Sequence, residues 1–271
     1  MVTFPNCKIN LGLNILQKRE DGYHDINTIF LPIPWYDVLE IISSPEKKIS
    51  IKTTGLNSGI PADNLCLKAY HLIKKNYPHL PEISIYLHKT IPAGAGLGGG
   101  SADAAFMLTL LNNKFDLKIP SAKMYEYAGL LGSDCSFFLF NKPAIASGKG
   151  EILKQIDLSL AEKKIFILNP GIHIPTAQIF KEIQPAFPTK SLEEIIHQPI
   201  ETWKNELKND FEEIVLPKFP IVEEMKNTLY DFGAEYASMT GTGSTLYAIF
   251  EEGFSEKFPE NPDWISKWVK I

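Results

Sequence analysis

Residues 92–105 read PAGAGLGGGSADAA, which places five glycines, at 94, 96, 98, 99 and 100, between a strand-like stretch and a helix-like one. A structural turn needs one or two glycines. Five let the backbone take positive φ and approach a ligand without side-chain obstruction. The helix that opens at Ser101 turns its unpaired N–H groups and a partial positive charge toward the end of this loop. Loop and helix start together form a cradle for an anion, most naturally phosphate.

Two known phosphate motifs share part of this pattern. Gly94, Gly96 and Gly99 satisfy GxGxxG, but a dinucleotide fingerprint opens a strand–helix–strand unit, and here helix follows helix. Gly94 and Gly99 have the spacing of a P-loop with Ser101 in place, yet Gly100 stands where that motif needs lysine. The loop thus supplies dipoles and no cation. For phosphoryl transfer the positive charge has to come from Mg²⁺ or from a lysine elsewhere.

Around the loop, the period of the apolar residues predicts an α+β chain. Cys7, Ile9, Leu11, Leu13 and Ile15 alternate with Lys8, Asn10, Gly12 and Asn14, which predicts a half-buried strand carrying Lys8, Asn10 and Asn14 on one face. Asp21-Gly22 is a turn signal, with a return strand from Tyr23. Further strands are expected at 35–42, 49–53, 83–87, 165–168, 236–240 and 245–250. Helices are expected after an Asp63 N-cap, from Ser101 through the all-round apolar stretch to Leu111, over 121–132, after Thr176, from a Ser191 cap to about Phe211, and over 221–232 before Gly233. Trp264 and Trp268, at helical spacing, read as a packing stripe. The turn Gly148-Lys149-Gly150 divides the chain into 1–150 and 151–271.

Composition narrows the function classes. Among 271 residues, 27 Lys+Arg face 32 Asp+Glu, a net charge of −5 without basic clusters, so nucleic-acid binding is not expected. Three distant cysteines without a CxxC indicate neither a disulfide framework nor a zinc site. No apolar stretch reaches the length of a membrane span, and the first residues lack a leader pattern. A soluble, cytoplasmic protein is expected, as monomer or homodimer, with small-molecule partners and no membrane association.

Three segments in order resemble the motifs of the GHMP kinases, the group that holds galactokinase, homoserine kinase, mevalonate kinase and phosphomevalonate kinase. Pro5-Asn6-Cys7-Lys8-Ile9-Asn10-Leu11 is similar to the first motif, PAGAGLGGGSADAA to the second, and Met239-Thr240-Gly241-Thr242-Gly243-Ser244 to the third. The resemblance implies a two-domain α+β fold, with a ribosomal-S5-domain-2-like N-terminal half and a ferredoxin-like C-terminal half, and the cofactors ATP and Mg²⁺. Asp21-Gly22-Tyr23-His24, Asp63-Asn64-Leu65, Gly132-Ser133-Asp134-Cys135, Gly148-Lys149-Gly150-Glu151 and Ile174-Pro175-Thr176 resemble the members that phosphorylate the 2-hydroxyl of a cytidine diphosphate conjugate of methylerythritol, in the non-mevalonate route to isoprenoid precursors. The pattern departs at Cys7, where the family usually has alanine, and at Ser136, where many members have proline.

The resemblance also implies roles. Asp134 is the expected base for the substrate hydroxyl, with Lys8 beside it. Pro92, Ala93, Gly94, Ala95, Gly96, Leu97, Gly98, Gly99, Gly100, Ser101 and Ala102 would hold the nucleotide, and Asn64 would help to hold adenine. Ser101 has two readings, as the helix cap and as a contact to Mg²⁺ or phosphate. Tyr23 and His24 would recognise cytidine, with Phe180 closing the other side of a cytosine sandwich and Thr176 nearby. Asn10, two residues from Lys8 on the same strand face, is expected near the reacting hydroxyl or the substrate phosphates. Rival readings are a GHMP kinase for another small alcohol, such as homoserine or a mevalonate derivative, and a ligand-binding regulator without catalysis.

Overall fold

The computed structural model describes residues 1–57, 63–255, 257–259 and 261–271. In chain order the first elements are β1 (Val2–Thr3), β2 (Asn6–Lys18), β3 (His24–Tyr36), β4 (Val38–Ser43), β5 (Ser50–Gly55), α1 (Leu65–Asn76) and β6 (Ile83–Lys89). Then come α2 (Gly99–Lys114), α3 (Ser121–Leu131), α4 (Cys135–Phe140), β7 (Ala144–Ser147), β8 (Ile152–Gln155) and β9 (Lys163–Asn169). The last are α5 (Thr176–Glu182), α6 (Leu192–Ile196), α7 (Ile200–Glu206), α8 (Glu212–Lys218), α9 (Pro220–Asp231), β10 (Tyr236–Met239), β11 (Leu246–Glu251) and β12 (Ile265–Lys270).

One compact unit comprises Met1–Cys7, Trp35–Gly94 and Gly98–Asn141. Its sheet has the order β1-β4-β6-β5, with β5 parallel to β6 and the other pairs antiparallel. The inward residues Leu39 and Ile41 of β4 and Ile83, Ile85 and Leu87 of β6 pack with Ala69, Tyr70 and Ile73 of α1 and Met107, Leu108 and Leu111 of α2. Helix α2 is buried at Ala102, Ala104, Ala105, Met107, Leu108, Leu110 and Leu111, as an all-round apolar sequence requires.

The other unit comprises Lys8–Pro34, Ala95–Leu97 and Lys142–Ile271. One of its sheets has the order β2-β3-β7-β8 and the other β10-β11-β9-β12. Counted along the chain, the second sheet runs 4-1-3-2 with every pair antiparallel, the ferredoxin-like arrangement. Its core joins Phe166 and Leu168 of β9, Ala248 and Phe250 of β11, Met225 and Leu229 of α9, and Leu13 and Ile15 of β2. Compactness therefore groups the chain otherwise than a single cut at 150, because residues 8–34 and 95–97 belong with the C-terminal part.

Several local expectations change. The strand expected over 35–42 is interrupted at Asp37, whose carboxylate accepts from Thr90 N at 2.6 Å and Ile91 N at 3.0 Å instead of letting one strand run through. Helix α1 is capped by Asn64, whose side chain accepts from Cys66 N at 2.9 Å, and not by Asp63, which is exposed. Ser191 does cap, in a full capping box, but the helix breaks after α6 because Pro199 holds an extended backbone before α7. Trp268 lies in strand β12 opposite Phe166, their rings 4.6 Å apart. A spacing of four residues puts side chains on one side of a strand as well as of a helix, so the packing role was legible and the element type was not. Among the described residues no helix is long and apolar enough to cross a membrane.

Candidate active site

Alternation along β2 puts Lys8 and Asn10 on one face, but the strand is not half-buried as expected: both faces are covered, and the two side chains are 3% and 2% exposed. The Lys8 ammonium donates to Asn10 Oδ1 at 2.6 Å and to the Gly96 carbonyl at 3.1 Å, and lies 4.9 Å from the centre of the Phe30 ring. Asn10 Oδ1 also accepts from Gly241 N at 3.0 Å, while its amide donates to Thr28 Oγ1 at 2.9 Å. The third glycine motif thus reaches the first through one asparagine. It meets the second at Gly96, where φ is +80° and an added Cβ would lie 2.0 Å from the Thr240 carbonyl. No other residue fits there.

In the other unit, Gly98 takes the left-handed conformation at φ +69° and serves as the N-cap of α2, with Ala102 N donating to its carbonyl at 2.9 Å. The helix opens two residues before Ser101, so the cap reading of that serine is overturned. Ser101 stands in the first turn and hydrogen-bonds the Cys135 thiol, whose pKa burial pushes up to about 12. Asn64 serves as the α1 cap and also lines, with Asp63, Leu65, Lys89, Ala93, Gly100 and Asp103, a cavity of about 100 Å³. A larger cavity of about 380 Å³, lined by Asn14, Phe187, Lys190 and Asp210 among others, holds none of the expected site residues. Asp134 occupies the N-cap position of α4, but its carboxylate makes no capping hydrogen bond.

On the acceptor side, His24 is buried and its ring lies 5.3 Å from Phe180, tilted by 33°. Phe180 in turn meets Phe211 edge-on at 4.8 Å. His24 and Phe180 are in contact and form one aromatic wall. Tyr23 is 60% exposed, with its backbone N–H held by Asp21 at 3.1 Å and the Lys149 ammonium 4.7 Å from its ring. Thr176 and Thr242 hydroxyls pair at 2.9 Å. Burial first, and Lys18 second, lower the pKa of His24, which favours a neutral imidazole.

Sequence reasoning missed a buried ion cluster. Lys89, at 2% exposure, donates to Asp103 Oδ2 at 2.7 Å and bonds Asp37. A signal existed: Lys89 continues the inward series Ile83, Ile85 and Leu87, and Asp103 interrupts an apolar helix. A charge at a core position needs a partner.

Residues 64–142 match the family model described as the GHMP kinases N terminal domain, and residues 191–258 match GHMP kinases C terminal. The chain belongs to the GHMP kinase family. Among curated relatives of this GHMP kinase, the 4-diphosphocytidyl-2-C-methyl-D-erythritol kinase of Bacteroides fragilis (strain YCH46) is 50% identical over 253 residues, covering 92% of each chain. The protein of that name from Cytophaga hutchinsonii is 47% identical over 271 residues, covering 99% of each. A crystal structure of a 4-(cytidine 5'-diphospho)-2C-methyl-D-erythritol kinase superposes with a TM-score of 0.79 at 29% identity, covering 92% of this chain and 89% of the other. The mevalonate kinase of Methanococcus jannaschii, at 16% identity and a TM-score of 0.67 over 94% and 92% of the two chains, shares the fold.

Proposed function

We propose that this GHMP kinase transfers the γ-phosphoryl group of ATP to the 2-hydroxyl of 4-diphosphocytidyl-2-C-methyl-D-erythritol. The observation that carries this reading is the identity of about half the residues, over nearly the whole chain, with relatives bearing that kinase name. A carboxylate of Asp134 takes the hydroxyl proton as the substrate oxygen bonds to the γ-phosphorus. The bond from that phosphorus to the β,γ-bridging oxygen breaks, and ADP leaves. Lys8, oriented by Asn10 Oδ1 and the Gly96 carbonyl, offsets negative charge on the phosphoryl oxygens. Asn10, with its oxygen shared between Lys8 and Gly241 N, acts through Lys8.

Residues 92–102 hold the phosphates through backbone N–H groups at the start of α2. Mg²⁺ fits this donor set: Ser101 offers a hydroxyl oxygen in the first turn of α2 beside the loop, and Mg²⁺ commonly relies on one or two protein oxygens with substrate phosphates and water. Ser101 Oγ would hold it, and the ion when bound supplies positive charge to the triphosphate. The exposed Tyr23 ring offers a face to cytosine, while neutral His24, backed by Phe180, offers a ring nitrogen to its edge.

Replacing Asp134→Asn is expected to lower kcat by about 10²–10⁴-fold, with ATP binding retained. Steady-state ADP release together with calorimetric ATP titration checks this, and a near-normal kcat removes Asp134 from the base role.

A further inference from the structure

Strand β6 ends at Lys89 and helix α2 begins at Gly99, so these residues are the two stems of the glycine loop. The Lys89 ammonium joins them. It donates to Asp103 in the second turn of α2 and would lie 3.4 Å from a Cβ added at Gly99. On the strand side it bonds Asp37, whose other oxygen accepts from Thr90 N at 2.6 Å and Ile91 N at 3.0 Å, the first two backbone groups after β6. All three side chains are buried, with exposures of 2% for Lys89, 0% for Asp37 and 3% for Asp103. The second oxygen of Asp103 meets no donor among the described residues.

For stability alone this is an expensive arrangement. Two carboxylates share one ammonium, and a buried charge cluster with an unmatched oxygen is at best weakly stabilising compared with an apolar filling. Its geometry suggests another use. A loop rich in glycine loses much conformational freedom when it closes on a ligand, and fixing both stems in advance lowers that cost.

We propose that Lys89, clamped between Asp37 and Asp103, is a positioning residue that locks the strand exit to the start of α2 and so preorganises the glycine loop for a nucleotide triphosphate. The inference rests on the nucleotide reading of the loop but requires no particular acceptor alcohol. Burial raises the pKa of Asp103 despite Lys89; for Lys89 burial acts downward, and Asp103 and Asp37 more than offset it, so the ammonium persists.

The decisive variant is Asp103→Ala, which cuts the tie to α2 while leaving Lys89 and Asp37 as a closed neutral pair, so the fold is retained. The measurement is calorimetric binding of a non-hydrolysable ATP analogue and of inorganic tripolyphosphate, both without any alcohol substrate; tripolyphosphate has no adenine to enter the cavity that Asp103 lines with Asn64. Asp103→Ala is expected to weaken the ATP analogue and tripolyphosphate alike, each about tenfold. Asp103→Asn, whose amide oxygen can still accept from Lys89, restores triphosphate binding. Unchanged tripolyphosphate affinity in Asp103→Ala overturns the proposal, because a loss confined to the ATP analogue marks a contact in the cavity shared with Asn64 and not the order of the loop. Because turnover is not read, a wrong acceptor alcohol cannot produce either result.

Discussion

His24 shows how one side chain can be set by its surroundings. Burial against Phe180, with Lys18 adding repulsion, lowers its pKa below the ordinary 6.5. The folded state therefore holds the proton less well than the unfolded chain. The associated stability is present above 6.5 and is lost as the pH falls through the lower folded value. Thermal unfolding between about pH 7.5 and pH 5 is expected to show a loss that is smaller in His24→Asn. Asp103 has the opposite sign. Its carboxyl is raised by burial, so stability is full below the ordinary 3.8 and declines as the pH rises toward the folded value. Relative to Asp103→Asn, the wild type is expected to lose Tm between about pH 4 and pH 8. Gly96 is constrained differently, by φ +80° and by the Thr240 carbonyl 2.0 Å from an added Cβ. The strain of a left-handed alanine is about 1–2 kcal/mol, before any shift of the Thr240 segment. Gly96→Ala is expected to lower Tm and to weaken nucleotide binding together, measured by thermal denaturation and calorimetry.

At the scale of elements, α2 carries two tasks. Its first turn faces the loop and its remainder fills the core, with Leu108 at 0% exposure among β4, β6 and α1 residues. Leu108→Ala is expected to cost about 2–5 kcal/mol by denaturant unfolding. Most elements were legible because one period dominates each of them: two in β2 and β6, and a continuous apolar surface in α2. The misses came where short-range signals conflict or are weak. β7 and β8 are four residues each, too short to display a period, and Pro199 divided a helix that the Ser191 capping box began. Asp63 and Asn64 are both capping residues, and only the path of the backbone into α1 selected Asn64.

For the whole molecule, the net charge of −5 is a poor guide to its ligands, since ATP and the proposed alcohol are both anions. Under the proposed function the binding of these anions rests on local features such as a lysine or a helix N-terminus, whose fields act at short range, whereas scattered surface charge is screened over about 8–10 Å. The aromatic wall at His24 and Phe180, with Tyr23 exposed, favours an alcohol that carries a base. ADP release with the cytidine substrate is therefore expected to exceed that with homoserine or mevalonate by at least about 10³-fold in kcat/KM. Comparable rates with either rival would sink the cytidine reading. The linear chain determined what depends on neighbours in sequence: the strand face bearing Lys8 and Asn10, the five-glycine loop, the buried α2 helix and the family motifs. Tertiary structure decided what depends on residues distant in sequence. It joined Asn10 to Thr28 and Gly241, set Phe180 against His24, and gathered Asp37, Lys89 and Asp103 into one buried cluster. Periodicity tells which side of an element a residue occupies, but the partner of a buried charge is chosen by how elements pack.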